Sequence, residues 1–160
     1  MFRTGIGYDS HRFSDAGGSL RLAGVEIPYS RALVGHSDGD AVAHAVTDAV
    51  LGAAGEGDIG AMFPDTDPAN AGRDSLEMLR LAVARVAARG WLVTHVDVTV
   101  VAEAPRIGPY RAAMCAALAN ALQVTGGAVN VKGKSNEGMG WIGRGEGIAC
   151  IAVATLHARS

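Results

Sequence analysis

The 160-residue chain has few aromatic side chains, only 5% of the total. A core built on large rings is therefore excluded. The interior has to be assembled from Ala, Val, Leu and Ile, whose small volumes pack closely but bury little area each. Cysteine is scarce as well: Cys115 and Cys150 are the only two, set among Ala, Ile and Val. That is the pattern of buried thiols in a reducing compartment rather than of a disulfide framework. No run of roughly 18 apolar residues occurs, so no membrane span is expected. The opening Met1-Phe2-Arg3-Thr4-Gly5 lacks the apolar stretch of a signal peptide, and the sequence reads as cytoplasmic. Charged residues are only 19%, with 14 basic against 16 acidic and a net charge of −2. No cluster of Lys or Arg could follow a phosphodiester backbone, which argues against nucleic acid as a partner.

What remains is a foldable chain. Apolar residues make up 49% of it, enough for one core, and the length suits one domain over 1–160. Glycine supplies 22 residues, about twice the usual share, which implies many tight turns and close backbone approaches. A small domain so poor in large side chains is expected to gain stability by oligomerising.

The spacing predicts an α+β fold. A first strand runs from Phe2 to Tyr8 with glycines on one face, and ends at Asp9-Ser10-His11. Leu20-Arg21-Leu22 and Val25-Glu26-Ile27 read as a small hairpin, and Asp40 to Ala54 as a first helix capped by Ser37, Asp38 or Asp40. Gly55 to Arg73 reads as a long loop. A second helix opens at Asp74 or Ser75 and stops at Arg89-Gly90, and Val96 to Ala102 is the clearest strand. A third helix follows Pro109 as far as about Leu122. Val129 to Lys132 and Ile148 to Thr155 read as the last two strands. The expected architecture is a mixed four- to five-stranded sheet with helices on one face, the other face meeting neighbouring subunits.

Asp9 and His11 are two apart, so in an extended backbone both point to one side and can share a cation. His44 is the natural third ligand, because the inward positions around it on the helix are small alanines. One carboxylate and two imidazoles without a nearby Cys suit a catalytic Zn²⁺ with an open position. Asp48, one turn on, is expected to orient His44. Spacing alone leaves a core histidine paired with Asp40 or Asp48 as the plainer alternative. Gly35-His36-Ser37-Asp38-Gly39-Asp40 shifts that balance, because capping accounts for some of its polar groups but not for His36. Between Lys132 and Gly147, six glycines with Lys, Arg and Ser form a moderate phosphate signal that is not a Walker A loop.

Taken together, Gly7-Tyr8-Asp9-Ser10-His11, Gly35 to Asp40 with His44, Gly57-Asp58-Ile59-Gly60, Phe63-Pro64-Asp65-Thr66-Asp67-Pro68, Ala104-Pro105-Arg106 and Gly143-Arg144-Gly145-Glu146-Gly147 resemble the 2-C-methyl-D-erythritol 2,4-cyclodiphosphate synthase family over nearly the whole chain. The resemblance implies a homotrimer with interfacial active sites that turns a cytidine diphosphate derivative into a cyclic diphosphate and CMP in the non-mevalonate isoprenoid pathway. It implies Zn²⁺ or another divalent transition metal at Asp9, His11 and His44, and Mg²⁺ or Mn²⁺ with the substrate diphosphate at Glu137. It makes His36 and Ser135 transition-state stabilisers. Substrate contacts are implied for Ser37, Asp58, Ile59, Gly60, Phe63, Pro64, Asp65, Thr66 and Asp67 at the methylerythritol end. The cytidine pocket is implied at Ala102, Glu103, Ala104, Pro105, Arg106, Ile107, Gly108 and Lys134, with Asn136, Trp141 and Arg144 also among the contact residues. Three positions depart from the commonest pattern: Ser135 stands for Thr, Trp141 for Phe and Arg106 for Lys. Arg144 and Glu146 are expected as a salt-bridge ring closing the trimer, with an isoprenoid diphosphate in the central cavity as the second reading. The rival functions are a zinc-dependent phosphoester hydrolase and a non-enzymatic metal-binding scaffold.

Overall fold

The computed structural model describes residues 1–159. Its centre is a four-stranded mixed sheet in the order β1-β6-β4-β5, formed by β1 (Phe2–Arg12), β4 (Trp91–Val101), β5 (Val129–Lys134) and β6 (Gly147–Ala158). β6 runs antiparallel to both β1 and β4, and β5 lies parallel to β4. A separate hairpin pairs β2 (Leu20–Leu22) with β3 (Val25–Ile27).

The helices α1 (Ala41–Ala54), α3 (Ser75–Ala88) and α4 (Arg111–Leu122) cover one face of the sheet, as the sequence predicts. α1 lies directly on β1 and β6 because the inward face of β1 is nearly bare. A Cβ on Gly5 would run into the Ala49 carbonyl oxygen, and one on Gly7 into that of Ala45. Only glycine on the strand facing alanine on the helix permits this approach. It places the next inward residues of β1, Asp9 and His11, beside the first turn of α1, where His44 sits.

Strands extend beyond their predicted ends. β1 continues to Arg12 through Asp9-Ser10-His11, because β6 pairs with it without a break from Phe2↔His157 to Arg12↔Gly147. Asp9 and His11 therefore lie inside a strand rather than at its end, and their shared side is held by the ladder. β4 starts earlier, at Trp91, with an irregularity between Val93 and His95. The long loop before α3 contains a helical turn, α2 (Ile59–Met62), and a 3₁₀ turn at Pro68–Asn70.

The other face of the sheet carries exposed apolar pairs. Ile6 opposes Val153 and Tyr8 opposes Ile151 across the β1–β6 ladder. Ile6 is 70% exposed and Tyr8 56%. Among the described residues no helix is long and apolar enough to cross a membrane.

Candidate metal centre and substrate pockets

The segment before α1 assigns one task to each polar residue. Asp40 is fully buried and caps α1 by accepting from the Ala43 amide at 3.0 Å. It also accepts from the amides of Ala23 and Gly24 at 2.8 and 2.6 Å. Those two residues form the β2–β3 turn with φ of 52° and 72°, so the carboxylate holds a turn that is strained at Ala23. Burial pushes the Asp40 carboxyl above its usual range despite these amides. Gly39 has a φ of 73°, which turns the chain into the helix. Asp40 is thus structural, while His36 and Ser37 are free to face the cavity.

Three donor atoms converge beside it. Asp9 Oδ2 lies 2.8 Å from His11 Nε2 and 3.0 Å from His44 Nδ1. The two imidazole nitrogens are 3.2 Å apart. In a tetrahedral zinc site with bonds of about 2.0–2.1 Å, ligand atoms stand about 3.3 Å from one another, so only a small outward shift separates this triad from a coordinating one. The far side of each ring fits that role. His11 Nδ1 donates to the Val34 carbonyl at 2.6 Å, which leaves Nε2 with its lone pair toward the centre. His44 Nε2 contacts Ser37 Oγ and Ser75 Oγ, both at 2.8 Å, and turns Nδ1 inward. Two nitrogen lone pairs and a carboxylate facing one point repel each other unless a cation or a proton lies between them. Burial works against the charged Asp9, but hydrogen bonds to both rings outweigh it and lower its pKa to about 2. Burial also works against charged His11, but Asp9 outweighs it and raises that pKa. Asp9, His11 and His44 are a candidate metal-binding triad.

Asp48 does not orient His44. Its carboxylate accepts from the Ile59 amide at 2.7 Å and anchors α2, because the loop after α1 folds back over that side of the helix. His44 is oriented instead by Ser37 and by Ser75, a residue that sequence reasoning treated only as a helix start.

The triad opens into a cavity of about 230 Å³, lined also by His36, Ser37, Ile59, Gly60, Phe63, Asp65, Asn70 and Met78. Asn70 and Met78 were not expected there. Asp58 and Asp67 act as caps, accepting from the Ala61 amide at 2.7 Å and the Ala69 amide at 2.9 Å. The Pro64 carbonyl accepts from Asn70 Nδ2 at 3.0 Å. Asp58, Pro64 and Asp67 thus hold the turns of this loop, and they and Thr66 do not line this cavity.

A second pocket, of about 520 Å³, is lined by Ala102, Glu103, Pro105, Arg106, Ile107, Gly108, Pro109, Gly133, Lys134 and Ser135. The Ala104–Pro105 bond is cis. Glu103 Oε1 accepts from the amides of Asn136 and Gly138 at 2.9 and 3.1 Å, so its carboxylate shapes the loop that carries Ser135 and Glu137. Glu137 itself has a φ of 52°, a left-handed conformation that costs an ordinary residue about 1 kcal/mol.

The two pockets lie on opposite edges of the sheet. Asp9 pairs with Cys150, Cys150 with Val100, and Val100 with Gly133. Three strand spacings of about 4.8 Å separate the triad from the Gly133–Ser135 edge by about 14 Å. One chain does not bring Ser135 or Glu137 to the triad. Trp141 and Glu146 line a third cavity, of about 410 Å³, with Ser10, His11, Arg12 and Val34. Arg144 and Glu146 pair with each other at 2.6 Å within the chain.

A mixed sheet with one helical face, an Asp-His-His centre between an edge strand and the first helix and a pocket on the other edge define the class. A family model described as the YgbB family matches residues 2–157, and the chain belongs to that family. Curated relatives bear the name 2-C-methyl-D-erythritol 2,4-cyclodiphosphate synthase. The chain is 61% identical to that of Gemmatimonas aurantiaca over 158 residues, covering 99% of this chain and 95% of the relative. It is 53% identical to that of Alkalilimnicola ehrlichii over 156 residues, covering 98% and 95%. Among solved structures it is similar to IspF of Plasmodium falciparum in a CDP complex, with TM-score 0.87, 32% identity, and coverage of 99% of this chain and 97% of that one. It is also similar to the bifunctional IspDF of Campylobacter jejuni, with TM-score 0.95 and 39% identity over 99% of this chain, though it spans only 42% of that longer chain.

Proposed function

We propose that this chain converts 4-diphosphocytidyl-2-C-methyl-D-erythritol 2-phosphate to 2-C-methyl-D-erythritol 2,4-cyclodiphosphate and CMP. The convergence of three lone-pair donors beside a cavity of about 230 Å³, in a member of this family, carries the reading. The substrate's own 2-phosphate oxygen attacks the β-phosphorus, a new P–O bond closes the ring, and the bond to the α-phosphate breaks to release CMP. The nucleophile is already anionic, so no Ser/His/Asp triad is required, and attack within one molecule gains a large effective molarity.

The residues' task is to bring two anionic phosphoryl groups together in line. Asp9, His11 and His44 would hold a divalent transition ion, Zn²⁺ by the chemistry of the donor set. Glu137 would hold Mg²⁺ or Mn²⁺ at the diphosphate. Bound cations at these places polarise phosphoryl oxygens and offset their charge. His36, on the cavity wall, would donate to the 2-phosphate, and Ser135 would hydrogen-bond the phosphoryl oxygens from the other side. Ile59, Gly60, Phe63 and Asp65 would receive the methylerythritol end, while Ala102 to Gly108 and Lys134 would form the cytidine pocket.

Because the triad and the nucleotide pocket lie on opposite edges of one sheet, the working site needs a second copy whose β5 edge meets the first copy's β1 edge. A homotrimer closed over the bare sheet face satisfies this, and the exposed Ile6, Tyr8, Ile151 and Val153 support it. An isoprenoid diphosphate in the resulting central cavity would meet Arg144.

Incubation of purified protein with the cytidylyl substrate, with ³¹P NMR of the products, tests the reading. CMP and cyclic diphosphate should appear together and vanish on chelation. An inorganic or linear phosphate product would instead assign a hydrolase.

A further inference from the structure

The far nitrogen of His44 begins a directed chain of hydrogen bonds that runs on past Ser75 to Asp38. Ser75, the first residue of α3, is fully buried and lies against His44 Nε2 at 2.8 Å. It touches Asp38 twice: its amide donates to Asp38 Oδ2 at 3.0 Å, and its hydroxyl donates to Asp38 Oδ1. A carboxylate only accepts, so the Ser75 proton is committed to Asp38 and the Ser75 oxygen is left to accept from His44 Nε2–H. Arg21 keeps Asp38 in place, with Nη1 4.0 Å from its carboxylate while Nη2 donates to Asp74 Oδ2 at 3.2 Å. Ser37 is also 2.8 Å from Nε2, but its hydroxyl can donate or accept and so cannot choose a tautomer alone.

We propose that Ser75, with its hydroxyl turned by Asp38, is the positioning residue that fixes the His44 tautomer and ring plane for cation capture. The polarity of the chain places the ring proton on Nε2 and the lone pair on Nδ1, the atom that faces Asp9 and His11. Docking of α3 is thereby tied to the metal site, although no residue of α3 is in the donor set. The proposal rests on the reading of Asp9, His11 and His44 as a divalent-metal site.

The test is a zinc competition titration of the full-length protein against a chromophoric chelator. Ser75→Ala should weaken zinc binding about 10- to 100-fold, the usual effect of losing a ligand's outer partner. Ser75→Thr, which keeps the hydroxyl, should restore most of it, and Ser37→Ala should weaken binding less than Ser75→Ala. If Ser75→Ala does not fold by circular dichroism, Asp38→Asn replaces it. Its NH₂ can donate to Ser75 and release the hydroxyl proton toward His44, and zinc binding should fall about tenfold. A long-range ¹H–¹⁵N spectrum of the zinc-loaded wild type should place the His44 proton on Nε2. Unchanged zinc affinity in Ser75→Ala or, where it replaces that variant, in Asp38→Asn, or a proton on Nδ1, overturns the proposal and leaves the metal reading standing. A wild type that binds no divalent cation overturns both.

Discussion

Asp9→Asn keeps the shape of the central side chain and removes its charge, which makes it the most informative single change. In metal-free protein the carboxylate sits against both imidazoles, at 2.8 and 3.0 Å. Burial raises its pKa, the hydrogen bonds and charge of the rings lower it more, and the result moves from 3.8 to about 2. At about 1.36 kcal/mol per unit, this difference amounts to about 2 kcal/mol of folded-state stabilisation. A carboxyl whose pKa is depressed on folding contributes stability that is present above 3.8 and lost as pH falls through about 2. His11 is raised above 6.5, so the same ion pair, seen from the ring, is fully present below 6.5 and lost as pH rises through the folded value. The two descriptions concern one interaction and are not added. Its window in the metal-free protein therefore lies between 3.8 and 6.5.

Denaturant unfolding of chelator-treated wild type and Asp9→Asn, at one fixed protein concentration, measures this. The variant should lose about 2 kcal/mol near pH 5 and clearly less near about pH 9. On adding zinc, wild type should gain stability by mass action, while the neutral amide should gain far less. An equal loss at both pH values would refute the ion-pair account of the triad.

Gly7→Ala should lower Tm and weaken zinc binding together, because its Cβ would displace α1 from β1 and draw His44 away from Asp9; overpacking of this kind costs about 1–3 kcal/mol or more, and differential scanning calorimetry with a zinc titration reads both. Ile6→Asp puts a charge opposite Val153 on the bare sheet face. Analytical ultracentrifugation should show a smaller species that keeps zinc and loses cyclising activity. A trimer with full activity would refute the assignment of that face.

The first strand and the shared side of Asp9 and His11 were legible because a period of two carries Gly5, Gly7, Asp9 and His11 to one side, whereas spacing alone left His44 readable as a core histidine and the resemblance was needed to join it to them. The end of that strand was not. Asp9-Ser10-His11-Arg12 is polar and turn-like by local preference, and only the unbroken pairing with the neighbouring strand Gly147–Ala158 keeps it extended. Asp48 misled for a related reason. Its spacing from His44 is right for a helical neighbour, but the loop amide of Ile59 takes its carboxylate. Ser75 left no local trace, since a serine at the start of a helix reads as a cap and its partner lies 31 residues away. Glu103 belongs to the same class: its contacts with a loop 33 and 35 residues on exist only after β4 and β5 pair side by side.

On the proposed reading, the placement of these groups gives assembly a chemical role beyond stability. A cation centre needs donors fixed to within tenths of an ångström, and the glycine-to-alanine contact of β1 and α1 supplies this inside one chain. The proposed nucleotide end would need backbone amides and a glycine-rich turn, which the β4–β5 edge offers. No folding of a single four-stranded sheet can bring its two edges together, because closure into a barrel needs more strands than four. The proposed joining of edges from separate copies would solve the geometry, and the apolar pairs Ile6–Val153 and Tyr8–Ile151, left uncovered by the helices, would supply its driving force. On the proposed reading, metal capture is a property of one chain and ring closure a property of the assembly. For that reason Ile6→Asp should separate them, whereas Asp9→Asn should weaken both.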